Sequence, residues 1–198
     1  MNQALQVSNQ IATLERDRGI PVALSSFRRL YPTYYWGEIS RSAQETGLDP
    51  NLILAVIRQE SAFDREAEST AGARGLMQVM PATGRIMARK ARIRRFRVED
   101  LWEARTSIRL GSQHLSDHYP YFRNQDGKRL SLALSAYNAG LKAARRWSRR
   151  LSEEDVDEFV ERIPYRETRN YVKLVYRNYQ VYSYLQSELQ SELTEAGH

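Results

Sequence analysis

The stretch from Asp49 to Ser61, Asp-Pro-Asn-Leu-Ile-Leu-Ala-Val-Ile-Arg-Gln-Glu-Ser, leaves this chain little choice of local structure. Asp49 is a residue type that caps a helix amino end, and Pro50 suits the first helical position. Leu48 and Ile53 have the spacing of a hydrophobic staple. The pattern predicts a helix from Pro50. At ~100° per residue, Leu52 and Val56 fall on one side of Glu60, and Ile53 and Ile57 on the other. The Glu60 carboxyl therefore lies within the apolar stripe rather than opposite it. Two arrangements satisfy such a group: pairing with a buried arginine, or a raised pKa that keeps its proton near neutrality. The second is what a general acid needs. The helix alone does not choose between them.

Around this helix the chain reads as a series of further helices. Asn2 to Arg18 repeats apolar residues at helical spacing, and Gly19-Ile20-Pro21 breaks it. Tyr34 to Thr46 is amphipathic and stops at Gly47. Phe63 to Gly75 is an ordered loop, with Gly72 and Gly75 at turns or close backbone approaches. Pro81 restarts a helix, and Ile108, Gly111 and Leu115 share one face of the next. Asn124 to Gly127 is a turn. Leu130–Ala139, Leu141–Arg150 and Val156–Ile163 follow as shorter helices. Pro164 then precedes a long final helix carrying Tyr171, Val175, Tyr179 and Tyr182 on one face. No segment has a strong strand pattern. The expectation is an all-α or nearly all-α domain with at most a very small β element. Residues 1–30 read as an arm or the end of a preceding helical region, 31–186 as the catalytic domain, and 187–198 as a tail.

Composition excludes several classes. With 41% hydrophobic and 27% charged residues, the chain has enough apolar material for a core and is not a disordered polymer. No window reaches the ~18 to 20 apolar residues of a membrane span, and the amino end is not patterned as a signal peptide. Cysteine is absent, which removes disulfides and thiol chemistry. His114, His118 and His198 lack an accompanying carboxylate pattern, so no metal is expected, and no glycine-rich phosphate loop calls for a nucleotide cofactor. The net charge of +6 is carried by arginine clusters at 85–97 and 145–150. Such a surface favours polyanions or is simply a solvated basic face.

Certain short motifs carry a specific resemblance. Glu60-Ser61 is followed by Gly75-Leu76-Met77-Gln78 with Met80-Pro81-Ala82-Thr83, then by Ala136-Tyr137-Asn138-Ala139-Gly140. Ile163-Pro164-Tyr165 with Glu167-Thr168-Arg169-Asn170-Tyr171-Val172 completes the set. In this order, from about Tyr31 to Leu185, the chain resembles the catalytic domain of the soluble lytic transglycosylases, which are similar in fold to goose-type lysozyme. The resemblance implies a lysozyme-like α-helical domain with a substrate cleft and no cofactor. It also implies cleavage of the β-1,4 bond between N-acetylmuramic acid and N-acetylglucosamine in peptidoglycan, with closure of a 1,6-anhydro ring. Position by position, it places the catalytic acid on Glu60 and the cleft residues on Ser69, Gln78, Met80, Tyr137, Asn138 and Glu167. Glycan strands are then the partner, the periplasm or cell envelope the location, and a monomer the expected state. No specific nucleic acid is expected, and the basic face is expected to meet acidic wall polymers. A hydrolytic muramidase and a non-catalytic glycan-binding module are the alternatives.

Each assigned residue also has a plainer reading. Ser69 suits turn capping, Met80 core packing, Tyr137 an ordinary buried tyrosine, and Glu167 a first-turn dipole partner. The tyrosines of the last helix read as core and surface rather than sugar stackers. Asp64, the other acid near Glu60, is expected to face solvent. The resemblance departs at His114-Leu115, where many relatives carry an aromatic, and at Ser107, where asparagine is common. These departures concern a sugar subsite rather than the chemistry.

Overall fold

The structure is a computed structural model that describes residues 27, 29–125, 127–151 and 155–196. The readings for residues 1–26 lie outside the described residues. The helices in order are α1 (Trp36–Thr46), α2 (Pro50–Ser61), α3 (Pro81–Lys90) and α4 (Ala104–Ser116), then α5 (Arg129–Ala139), α6 (Leu141–Arg150), α7 (Val156–Glu161) and α8 (Arg166–Ala196). Short 3-10 turns at Val98–Trp102 and Tyr119–Phe122 flank α4. Among the described residues the only β features are isolated bridges joining Glu68 to Arg74 and Arg74 to Val79. The domain is all-α. The last helix runs on to Ala196, so most of the 187–198 stretch expected as a tail continues α8. No helix of the described residues is long and apolar enough to cross a membrane.

Helix α2 lies at the centre of the packing. Leu52 through Ile57 are all buried, so the helix is covered on every side over that stretch and not along one stripe alone. Its most extensive neighbour is α8, while α1 packs on α4 and α5 on α6. The predicted cap forms: Asp49 Oδ1 accepts from the Asn51 amide at 2.8 Å. The second oxygen of the same carboxylate accepts from Tyr179 Oη at 2.7 Å, which ties the start of α2 to α8. Arg58 turns away from Glu60; it donates to the Leu30 carbonyl and lies 4.1 Å from the Tyr31 ring centre.

The carboxyl end of α2 turns sharply. Ala62 and Phe63 both take left-handed backbone angles, φ 49° and 65°. For non-glycine residues that costs about 1–2 kcal/mol each. Burial of the Phe63 ring, 1% exposed and set edge-on to Tyr34, offsets strain of that size. The turn sends the chain into the 63–79 loop, which returns beneath α2. Gly75 is fixed there by contact, since a Cβ at this residue would stand 1.9 Å from the Leu101 carbonyl oxygen. Gly111 on α4 is similar: its Cβ would meet the Met77 side chain at 2.5 Å. A loop and a helix thus approach closer than any side chain permits.

The double use of Asp49 yields a stability prediction. Asp49→Ala should cost about 1–2 kcal/mol in chemical denaturation, and Tyr179→Phe about 1 kcal/mol. The double variant should cost less than their sum, because both remove the same bond.

Candidate active site

Glu60 occupies the last turn of α2, one residue before the helix end, with its carboxyl sunk among its neighbours although part of the residue reaches the surface. Among the described residues it forms no ion pair, so the arginine alternative is not realised. Burial raises its pKa to about 7. The Tyr171 hydroxyl is the next largest influence and opposes burial, while the negative charge of Glu167 adds to it. Tyr171 Oη is itself buried and closes no hydrogen bond of normal geometry, so it faces the carboxyl without fixing it. The phenols of Tyr137 and Tyr171 are held well above their ordinary range, first by burial and then by the Glu60 charge.

At Tyr137, whose phenol feels the Glu60 charge, lies an open hollow of about 360 Å³; Gln78, Met80, Thr83, His114 and Asn138 also line it, whereas Glu60 itself does not. The 75–80 segment is held on three sides. Ser61 Oγ donates to the Leu76 carbonyl at 2.9 Å from α2. Ser107 Oγ on α4 accepts from the Met77 amide at 3.2 Å, and Tyr137 Oη on α5 donates to the Met77 carbonyl at 2.7 Å. Gln78 then takes a left-handed φ of 46°, and its Nε2 donates to the Ala67 and Gly75 carbonyls at 3.0 Å. Met80 is 41% exposed, a thioether presented to the hollow rather than packed in the core. Asn138 Oδ1 accepts from Thr168 Oγ1 at 2.7 Å, which joins the end of α5 to the start of α8.

Of the residues expected from sequence, Gln78, Met80, Tyr137 and Asn138 meet at one hollow, and Glu60 and Glu167 are coupled through charge. Ser69 is not among the lining residues. Its hydroxyl accepts from the Ala73 amide at 3.0 Å and caps the 69–73 turn, which is the plainer of its two readings. Asp64 Oδ1 likewise accepts from the Glu66 amide at 3.0 Å and is not among the groups that shift Glu60. Sequence reasoning left out Tyr171 as a neighbour of the acid. It also gave no role to His118, which is buried, lines the hollow and meets His114 edge to face with ring centres 4.6 Å apart. His114 in turn lies 5.2 Å from the Tyr137 ring. Burial lowers the pKa of both imidazoles, that of His118 to about 4, so they are neutral at pH 7. Among the described residues no group of three or more His, Asp or Glu could hold a metal ion.

A lysozyme-like, all-α domain with a sunken carboxylic acid next to a tyrosine that lines an open hollow is the class these features define. Residues 38–160 match the family model described as the Transglycosylase SLT domain, and the chain belongs to that family. It is 35% identical over 147 residues to the soluble lytic murein transglycosylase of Salmonella typhimurium, which covers 73% of this chain and 22% of that protein. The Escherichia coli protein of the same description is 33% identical over the same length. Among solved structures, the chain is similar to an inactive mutant of the lytic transglycosylase Slt from Pseudomonas aeruginosa. The TM-score is 0.72 at 32% identity, covering 89% of this chain and 30% of that one. It is also similar to the 70 kDa soluble lytic transglycosylase of E. coli in complex with bulgecin A. There the TM-score is 0.75 at 31% identity, over 81% of this chain and 26% of that one. The chain thus spans under a third of the length of these relatives.

The raised pKa of Glu60 carries a stability cost with a definite sign. A carboxyl whose pKa moves from 4.5 unfolded to about 7 folded binds more protons in the native state between those values. Stability therefore falls as pH rises through that window, by about 3 kcal/mol in all. Glu60→Gln should accordingly be more stable than the wild type above pH 7, with the difference shrinking towards pH 4.5. Urea midpoints of both proteins measured across that pH range test this; a gain of the glutamine variant over the wild type no larger at pH 8 than at pH 5 would contradict the burial of the acid.

Proposed function

We propose that this domain is a peptidoglycan lytic transglycosylase in which Glu60 serves first as acid and then as base. The observation that carries the reading is the environment of Glu60: a single sunken carboxyl, without an ion-pair partner among the described residues, that keeps its proton to about pH 7. A glycoside-cleaving acid must be protonated at working pH and must become a competent base after giving up its proton. A pKa near 7 serves both needs. The relatives carry names of murein-cleaving enzymes, and one solved relative is an inactive mutant with glutamate replaced by glutamine.

In this reading the glycan lies in the hollow at Tyr137. The Glu60 proton passes to the glycosidic oxygen as the bond from C1 of N-acetylmuramic acid breaks. The substrate's own acetamido carbonyl stabilises C1, so no enzyme carboxylate is needed on the far side, unlike the usual pair of acids. The ionised Glu60 then takes the proton of the 6-hydroxyl while O6 bonds to C1 and closes the anhydro ring. The proton lost is regained, and no water is consumed. Tyr137 and Tyr171 set the polarity around the carboxyl, and Glu167 helps it keep the proton. Gln78, Met80 and Asn138 supply amide and thioether contacts for the sugar. Ser69 shapes the loop that carries Gln78. The substrate places the enzyme in the bacterial cell envelope, and the domain needs no cofactor and works as a monomer.

Purified protein and peptidoglycan, with products weighed by mass spectrometry, test the proposal. Anhydro-ended products are expected; products heavier by one water would make the enzyme a hydrolase, and no cleavage at all would favour a binding module. Glu60→Gln should lower turnover by about three orders of magnitude or more with the fold retained. The rate should fall about tenfold per pH unit above pH 7, as the protonated fraction of Glu60 declines.

A further inference from the structure

Helix α6 starts at the hollow and leads away from it. Gly140 and Leu141 belong to the lining, and the helix then reads Leu-Lys-Ala-Ala-Arg-Arg-Trp-Ser-Arg-Arg. Ala144 and Trp147 are buried against the core, while Lys142, Arg145, Arg146, Arg149 and Arg150 are exposed. At ~100° per residue these cations fall in two adjacent rows at four-residue spacing. One row continues from Leu141 at the hollow to Arg145 and Arg149; the other runs from Lys142 to Arg146 and Arg150. Each step is about 6 Å along the axis.

Helix electrostatics do not account for this face. A macrodipole favours cations in the last turn, which suits Arg149 and Arg150, but disfavours Lys142 in the first turn. Like charges four residues apart repel one another. No acidic residue lies on α6, and among the described residues none of these cations pairs with a carboxylate. Elsewhere the chain does pair its cations, as in Lys90 with Asp117, Arg109 with Glu45 and Lys173 with Glu161. Arg145 lies 5.9 Å from the exposed Tyr121 ring. Among the described residues the face is an uncompensated row of positive charge that begins at the hollow.

We propose that the exposed face of α6 is a docking track for an acidic peptide attached to the glycan in the hollow. This rests on the hollow being a glycan cleft. An extended peptide turns every second side chain to the same side, about 6.6–6.8 Å apart, close to the step of the cation rows. Guanidinium groups take carboxylates in paired hydrogen bonds, and four of the five cations are arginine. Because the track begins where the sugar sits, sugar and peptide bind as one ligand, and the second contact gains from the first. A nucleic acid would use the same charges without needing the hollow.

The test uses the Glu60→Gln protein, so that ligands survive, and two glycan fragments of equal length, one with intact acidic stem peptides and one stripped of them. Calorimetry at low salt should show about tenfold tighter binding of the peptide-bearing fragment, the sum of several exposed ion pairs. Adding K142Q, R145Q and R149Q should abolish most of that preference and leave affinity for the stripped fragment unchanged. Removing equal charge from α3 and the turn after it with R85Q, R89Q and R95Q should leave the preference intact. Equal affinity for the two fragments, or equal loss from the 85–95 set, would overturn the track while leaving the cleft in place. Binding of neither fragment would overturn the cleft reading and the track with it. A single-stranded DNA oligonucleotide captured through the α6 cations, with no preference for peptide-bearing glycan, would assign the face to nucleic acid instead.

Discussion

A carboxylic acid sunk at the end of an otherwise apolar helix is the constraint around which this domain is arranged. Six consecutive buried residues of α2 fix the axis of that helix in the core, so Glu60 cannot turn its carboxyl to solvent by a small rotation. What remains is to keep the acid neutral or to match its charge. The fold does the former: no cation pairs with it among the described residues, and Arg58, two residues earlier, is engaged by Leu30 and Tyr31. The neighbours Tyr137 and Tyr171 are phenols, which offer polarity without charge.

The hollow at Tyr137 depends on the placement of one backbone segment. Leu76 and Met77 are bonded from α2, α4 and α5 at once, through Ser61, Ser107 and Tyr137. Each side chain satisfies a backbone group that would otherwise be unpaired in the interior. Gly75 and Gly111 contribute by absence of a side chain, which lets the segment lie against Leu101 and α4. Gln78 and Met80 are then aimed by a loop that has little freedom of its own. Ser107 meets the Met77 amide with its hydroxyl oxygen, and that contact holds the segment against α4.

The helices were legible in the sequence because their ends are written in residues with fixed geometry. Asp49-Pro50, Gly47, Met80-Pro81 and Gly140 all mark observed boundaries. The position of Glu60 in an apolar stripe was legible for the same reason, since helical periodicity is local. What periodicity cannot reach is the pairing of distant surfaces. Tyr171 lies on α8 among several similar tyrosines, and nothing local separates the one that faces the acid from those that pack elsewhere. His118 lies beyond the end of α4, where helical spacing no longer predicts direction. The competing readings of Ser69 turned on whether a hydroxyl faced its own loop or a neighbour, and only the 69–73 turn decides that.

The imperfect contact between Tyr171 and Glu60 has a physical consequence. A well-formed hydrogen bond from a phenol to a carboxylate stabilises the ionised form and would draw the pKa of the acid down. Tyr171 does pull in that direction, but burial outweighs it, and its hydroxyl is left without a closed bond. Burial and the nearby Glu167 charge therefore prevail, and the acid stays poised near neutrality. An unsatisfied buried hydroxyl costs about 1–3 kcal/mol, and so does the strained turn at Ala62 and Phe63 that follows the acid. A sequence optimised for stability alone would close the bond and relax the turn. Both departures from the most stable arrangement fall within one turn or one contact of the same carboxyl, where a proton has to leave and return.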